Sequence, residues 1–592
     1  MNITMHGQSV LILPKVYITG SSHMRYFSDM IRHIMIARFP TILILVLFAF
    51  LGPQACNSQT PIPEPVSLTT LTLNPEASGL RLTIETAAPV TQLTLEDYGQ
   101  AQRRDGWTII GDAHNFDGAT LSRKDGATWS KVEFLISPET EFYNRRYFAV
   151  DRIGDAGWLF YKAIFALEDG PVNFRLSGFD AQMVRDGVSD VTGQNDFVIF
   201  PEDDTLLYVG PRENLRAANP DFIAGPEVPS WLRAQMARDM ASASETLTRR
   251  LGDSGEYKPT LYVSYAQDER FKSQGWKGGA MKQGVIALRI RNMTLDENDA
   301  GLVDAFTGLI GHETTHMWIG QRLKNLQNEQ QSWAHEGTTE YVSDRMRMSP
   351  DAFRIEAEET LNRCIAEQGK RPLDGSEGYV QGLPAYDCGF VVSLFAELGA
   401  VNQGKDILTI WADVIAARDN EYQPEDFLAA ARAYNPNGFP NLAARLISGK
   451  EAARWTNISD DLAGLPITLE AAGQPSNSDL SLNNWWLGRL MPANCGGAIS
   501  IYSNSDHKGM AGEGLCDGKW NANFDLVGVN GLNMFTAPRD VYDDVRARCA
   551  AGETLTFNLL DGTVLTDMPC GLTDIPAVPP YIRIVNLELP PL

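Results

Sequence analysis

The run Gly311-His312-Glu313-Thr314-Thr315-His316-Met317-Trp318-Ile319-Gly320 constrains this chain more than any other stretch. Side chains at i and i+4 lie on one face of a helix, one turn apart. Folded as a helix, the run brings two imidazoles within reach of one metal ion. It also sets Glu313 beside the first of them, where a carboxylate can address a water at the metal. The residues upstream (Leu302, Val303, Phe306, Leu309, Ile310) are apolar and helix-compatible. Five histidines lie beyond Cys56, and three of them fall between 312 and 335. Glu336 follows His316 with 19 residues between. One carboxylate on a second helix completes three protein ligands and leaves a position for water, a donor set that suits zinc. The expectation is one Zn2+ per chain, held by His312, His316 and Glu336, with Glu313 as catalytic base. His335 competes as a ligand. Neighbours in a helix point about 100° apart, so only one of His335 and Glu336 is expected to face the metal.

Four stretches between 230 and 400 resemble the gluzincin metallopeptidases, the clan of thermolysin and the aminopeptidase N family. His312-Glu313-x-x-His316-x-Trp318-x-Gly320 is similar to the aminopeptidase N zinc helix. Trp333-Ala334-His335-Glu336-Gly337 resembles that family's Trp-x-Asn-Glu-Gly, whose glutamate binds zinc. The 19-residue spacing is the thermolysin one, one longer than is usual in aminopeptidase N relatives. Gly278-Gly279-Ala280-Met281-Lys282-Gln283-Gly284 resembles the Gly-Ala-Met-Glu-Asn exopeptidase motif, which implies substrate binding by Gly279, Ala280, Met281 and Lys282. Tyr386-Asp387-Cys388-Gly389 resembles Tyr-x-Lys-Gly, whose tyrosine stabilises the oxyanion. The resemblance further implies that Glu340, one helical turn after Glu336, orients a zinc-binding histidine.

Two of the departures from the pattern bear on the chemistry. Lys282 stands where aminopeptidases have the glutamate that grips the substrate α-amine, and a lysine there repels a cation. Exopeptidase and endopeptidase action therefore both stay open. Cys388 replaces the lysine after the tyrosine and can pair with Cys364, fixing the helix behind Tyr386.

At 592 residues the chain is too long for one ordinary core. The net charge of −24 argues against nucleic acid as a partner. Residues 1–56 read as a targeting segment: Arg32 and Arg38 precede the apolar run Thr41–Leu51, which is too short to span a bilayer. The true start is then Met24 or Met30. Pro53-Gln54-Ala55-Cys56 resembles a bacterial lipobox, which implies an exported cell-envelope protein, an outer-membrane lipoprotein or a periplasmic one, touching membrane only through a lipid anchor. Ordinary cleavage near Ala55 is the alternative. Of seven cysteines, removing Cys56 leaves six in three local pairs, 364–388, 495–516 and 549–570. An exported protein would oxidise them; spacing alone leaves six buried thiols open.

The expected class is multidomain α+β. A Pro-rich tether (57–68) leads to an N-terminal antiparallel β domain (69–227), read from alternation in Leu80-Leu82-Ile84, Leu93-Leu95, Val132-Phe134-Ile136 and Phe197-Ile199. Its lone His114 reads as structural. A thermolysin-like catalytic domain of mixed sheet plus helices follows (228–465), with helices expected at 231–251, 300–320, 335–348, 388–398 and 406–418. A linker covers 464–482. A C-terminal β domain (475–580) resembles PDZ domains: Leu487-Gly488 precedes a strand-like segment at 498–502, and Asp525–Gly531 looks like a hairpin of that fold. Glycyl aminopeptidase relatives join a gluzincin domain to a PDZ domain, and PDZ domains bind peptides by strand addition. The reading is an exported zinc peptidase acting on a peptide or protein, with a possible peptide ligand for the PDZ-like domain. The alternatives are a zinc hydrolase of a non-peptide substrate on the same scaffold, or a PDZ-type peptide-binding protein with a relict metal site.

Overall fold

Period-two alternation in the N-terminal third resolves into two larger sheets and a three-stranded one formed by Gln92–Thr94, Thr120–Arg123 and His114–Phe116. The structure, a computed structural model, describes residues 68–592 apart from 78, 98, 140–147, 217–220, 256, 269–274, 328–330, 369–371, 376–382, 450–457, 474, 476–479, 496–499, 504–506, 512–517, 573–574, 576 and 578–580. The targeting segment with Cys56, and all of the tether but residue 68, lie outside the described residues.

Leu80, Leu82 and Ile84 in strand Gly79–Val90 are buried with Val132, Phe134 and Ile136 of its neighbour Trp129–Ile136. These belong to a six-stranded sheet. One pairing departs from the antiparallel expectation: Thr70–Leu73 run parallel to Asn173–Leu176. Alternation specifies which face a residue takes, not which strand lies beside it. A five-stranded sheet carrying Val150–Ile153, Gly157–Tyr161 and Leu206–Gly210 packs against the first. His114 lies edge-on to Trp129, a packing position.

The central sheet positions the candidate site. Its main strands are β1 (Asp221–Ala224), β2 (Thr260–Ala266), β3 (Gly275–Met281) and β4 (Val285–Arg291), ordered β1-β2-β4-β3. β1 and β2, and β2 and β4, are parallel; β3 runs antiparallel to β4 and forms the edge. The sheet is mixed, as expected. β1 lies before the expected boundary at 227, so the central sheet begins inside the stretch assigned to the N-terminal domain. Ile223, Tyr262, Met281, Val285 and Ala287 face the N-terminal core, while Phe222, Leu261, Val263, Ile286, Leu288 and Ile290 face the helices. Burial on both faces explains the continuous apolar runs of β2 and β4.

Five helices matter here: α1 (Ser230–Leu251), α2 (Ala300–Thr315), α3 (Glu336–Arg347), α4 (Pro350–Gln368) and α5 (Leu383–Val401). Leu232, Met236, Met240, Ala243, Leu247 and Leu251 form the buried stripe of α1, spaced by three and four. Pro229 precedes α1 and Gly252, with φ 83°, ends it. The Asp299 side chain caps α2 by accepting from the Leu302 amide at 3.0 Å. α2 stops at Thr315, short of the expected 320, and His316 keeps helical dihedrals at its C-cap, which preserves the i, i+4 relation to His312. The chain beyond docks on α1: Trp318 and Arg322 donate to the Gly252 and Leu251 carbonyls, both at 2.8 Å. Among the described residues no helix is long and apolar enough to cross a membrane.

The C-terminal part differs most from expectation. Within the expected linker, Ile467–Ala471 is a strand paired with Ile582–Leu587, near the end of the chain. Leu487-Gly488 lies inside a helix, Ser481–Cys495, not in a loop before a strand. The Asn530-Gly531 turn falls at the end of strand Asn523–Val529, as expected of a hairpin there, and helix Pro538–Ala550 and strand Leu555–Leu559 follow it. Disulfides join Cys364 to Cys388 and Cys549 to Cys570. Cys516 of the third expected pair lies outside the described residues.

Candidate metal centre

The last turn of α2 and the first turn of α3 bring three ligand atoms together. His312 Nε2 and His316 Nε2 are 2.9 Å apart. Glu336 Oε2 lies 3.4 Å from the first and 3.3 Å from the second. Ligands about 2.1 Å from a tetrahedral zinc stand about 3.4 Å from one another. The two sides of the triangle that meet at Glu336 have that length, and the imidazole–imidazole side is about 0.5 Å shorter. Glu336 Oε2 is buried and makes no well-formed hydrogen bond, a costly state unless something cationic is shared between it and the imidazoles. Burial raises the Glu336 carboxyl, but His316 and the two imidazole nitrogens reverse this and hold it well below the usual carboxylate range. It is thus charged, as a ligand must be. His312, His316 and Glu336 are the group of described residues with metal-ligand spacing.

The surroundings explain how these side chains are held. His312 Nδ1 is 2.8 Å from Glu340 Oε2, one turn along α3 from Glu336. Glu313 is buried, and its Oε2 accepts from the Ala280 amide of edge strand β3 at 2.7 Å. Gln321 closes the end of that strand: it accepts from the Gly284 amide at 2.8 Å and donates to the Met281 carbonyl. Tyr386 is buried in the first turn of α5, its ring stacked on His312 with centroids 5.9 Å apart.

Two glycines of the sequence motifs let α3 meet α5. A Cβ on Gly337 would stand 2.5 Å from Gly389 Cα and 2.6 Å from the Tyr386 carbonyl, and one on Gly389 would stand 2.3 Å from the Trp333 carbonyl. The backbones touch there, and so Tyr386 reaches the metal ligands. The Cys364–Cys388 bond ties α4 to α5 immediately behind it.

Lys282 goes elsewhere. It is exposed, in the turn after β3, and its ammonium donates to the Glu202 carbonyl of the N-terminal region at 3.3 Å. Gly279 and Met281 are buried, and Ala280 is half-buried. Of His335 and Glu336, only Glu336 joins the group of ligand atoms, as expected; the correction concerns where His335 sits. His335 precedes α3 rather than lying on it, and its ring stacks on His316 while Glu336 still reaches both imidazoles. Burial and the adjacent His316 push the His335 imidazole down to about 3, so it is neutral.

Sequence reasoning missed Glu397. This carboxylate on α5 is fully buried, accepts from Tyr341, and takes Arg345 Nε and Nη2, both at 3.1 Å. It joins the helix of Glu336 and Glu340 to the helix of Tyr386. The available signal was an acid in the apolar second half of that helix, residues 390–401, which demands a buried partner.

No protein-family model matches the sequence and no curated protein matches it. Similar solved structures include the M1 zinc metallopeptidase from Deinococcus radiodurans, at 11% identity over 65% of this chain and 94% of that one, TM-score 0.34. A mutant of it bound to a Tyr-Ser-Ala substrate is similar at 11% identity over 65% and 93%, TM-score 0.35. Leukotriene A4 hydrolase from Saccharomyces cerevisiae is similar at 10% identity over 65% and 68%, TM-score 0.37. These likenesses are weak, and what the site can do follows from its own residues.

Proposed function

We propose that this chain is an exported zinc-dependent peptidase in which His312, His316 and Glu336 hold one zinc ion. The observation that carries this is the buried triangle of three ligand atoms, with Glu336 Oε2 left without a hydrogen bond. Zinc bound there supplies a Lewis acid and makes water acidic enough to attack at neutral pH. Glu313 takes the proton of the attacking water and returns it to the leaving amine, held in line by the Ala280 amide. Tyr386 donates to the oxygen that becomes negative as the carbonyl is attacked. Glu340 accepts the Nδ1 proton of His312 and so directs Nε2 inward. The outer edge of β3 offers backbone groups to an extended peptide next to Glu313. Lys282, just past that edge, disfavours a free α-ammonium and favours blocked or internal peptide bonds.

Export is supported by the disulfides Cys364–Cys388 and Cys549–Cys570, which persist in oxidising compartments. A lipid anchor at Cys56 and a division into N-terminal, catalytic and PDZ-like units, with strand Asp221–Ala224 counted in the catalytic one, belong to the same proposal. For the last unit, the turn at Asn530-Gly531 and the helix after it are the supporting features.

Metal analysis of the purified chain tests the central claim. About one zinc per molecule is expected, lost with activity to a chelator. Glu336→Ala should bring zinc close to zero and abolish turnover. A wild-type protein that carries no zinc after metal-replete preparation overturns the reading.

A further inference from the structure

The two zinc-ligand histidines are held in unlike ways. His312 Nδ1 has a carboxylate at 2.8 Å, a short contact to Glu340. His316 Nδ1 has only the Ile319 carbonyl and the Thr339 hydroxyl, each at 3.3 Å. Bonds that long restrain a ring poorly. What His316 has instead is a second imidazole laid on its face: His335, with centroids 4.2 Å apart and planes 24° from parallel. His335 Nδ1 is buried with no hydrogen-bond partner, so that nitrogen does not account for the placement. The fold also makes room for it. Gly320 has φ 137°, and a Cβ there would stand 2.0 Å from His335 Cε1 and 2.7 Å from its Nδ1. Gly320 thus closes one side of a slot whose other side is the face of His316.

We infer that His335 is a positioning residue that holds the His316 imidazole on the metal by ring stacking, doing for His316 what Glu340 does for His312 by hydrogen bonding. The inference rests on the zinc reading above. It resolves the competition between His335 and Glu336 for the metal: the glutamate is the ligand, and the histidine is the wall behind a ligand. Stacked on His316, the His335 ring restrains rotation of the ligand imidazole through its face. Losing the outer support of a metal ligand costs 10- to 100-fold in metal affinity as a rule.

The test measures zinc affinity of the full-length protein by chelator competition, with the absorption spectrum of the cobalt-substituted protein as a second readout. His335→Ala should weaken zinc binding about tenfold and alter the cobalt spectrum. His335→Phe keeps a flat ring and removes both nitrogens; it should bind zinc within about threefold of wild type and restore the spectrum. Gly320→Ala should weaken zinc like His335→Ala, and the double variant should be no weaker than the worse single one, because both act through the same ring. Unchanged affinity in His335→Ala overturns the inference and leaves the zinc reading intact. A His335→Phe protein as weak as His335→Ala also overturns it, since the ring nitrogen and not the ring face would then matter. A wild-type protein that binds no zinc rejects the zinc reading itself.

Discussion

The metal centre and the seam between the N-terminal sheets and the central sheet both bury charge, and they dispose of it in opposite ways. At the seam, Asp151 is 2% exposed and both its oxygens are filled: Arg291 Nη2 reaches each at 2.6 Å, Arg289 Nε donates at 2.9 Å and Ser264 at 2.6 Å. Arg289 also takes Glu139 at 3.2 Å. Burial pushes the Asp151 carboxyl up, and the two guanidinium groups more than reverse it. At the metal centre, three atoms with lone pairs point at one spot and Glu336 Oε2 stays unbonded. A buried charge whose partners are all protein groups holds elements together. One that converges with others on a shared gap asks for a cation.

Substitutions on the two sides should separate these roles. Glu313→Gln gives the largest loss of rate with the site otherwise intact. The amide fills the same space but takes no proton, so kcat should drop 100- to 10,000-fold with zinc still bound at about one per chain. Loss of zinc in this variant would mean that Glu313 helps hold the metal, and the division of labour between it and Glu336 would fail.

Asp151→Ala is the matching change at the seam. It leaves Arg289 and Arg291 buried without their carboxylate and should cost about 3–5 kcal/mol in denaturant unfolding. Zinc per folded molecule should not change. A variant that unfolds normally but loses zinc would show that the seam acts on the metal centre, and the contrast drawn here would collapse.

Glu139 sharpens the seam side through pH. Burial pushes its carboxyl up to about 7, against the pull of Arg289. The folded protein therefore keeps this proton at pH values where the unfolded chain, with its ordinary 4.5, has lost it. The stability it contributes is full below about 4.5 and is lost as pH rises through about 7. Lys277, pushed down to about 7 by burial, titrates nearby with the opposite sign. The difference between wild type and Glu139→Gln isolates the carboxyl. Wild-type stability relative to the variant should fall by roughly 2–3 kcal/mol between about pH 5 and about pH 8. A flat difference would show that Glu139 is already ionised in the fold.

Lys282 should give the smallest effect. Lys282→Glu should lower the ratio of kcat/KM for an N-blocked peptide to that for the free one, by roughly the factor of a single exposed charge, about threefold. An equal ratio in both proteins would show that Lys282, anchored at the Glu202 carbonyl, serves the contact with the N-terminal region and does not read the substrate.

Much of the central region was legible because its signals are local. The His312–His316 spacing and the stripe of α1 each depend on residues within a few turns of one another. The pairing of Cys364 with Cys388 was also legible, because both helices are short-range neighbours in sequence. The C-terminal part was less so. Asn483, Asn484, Gly488 and Pro492 are poor helix formers, yet Ser481–Cys495 is helical. Leu482, Trp485, Trp486, Leu490 and Met491 bury their side chains in the lobe's core, and that burial outweighs propensity. Strand Ile467–Ala471 reads as linker because its partner, Ile582–Leu587, comes at the other end of the C-terminal region.

The sequence by itself determined that His312 and His316 can share a metal, since their i, i+4 relation follows from helix geometry, while Glu336 as the third ligand rested on its spacing and on the family resemblance. Only the tertiary structure decided what stands behind those atoms. Glu340 meets His312, His335 lies on His316, Tyr386 reaches the ligands and Lys282 turns to Glu202 because α2, α3 and α5 pack at particular close approaches, such as Gly337 on Gly389. Such approaches are set by the summed packing of the whole core, and no local pattern of residues encodes that sum.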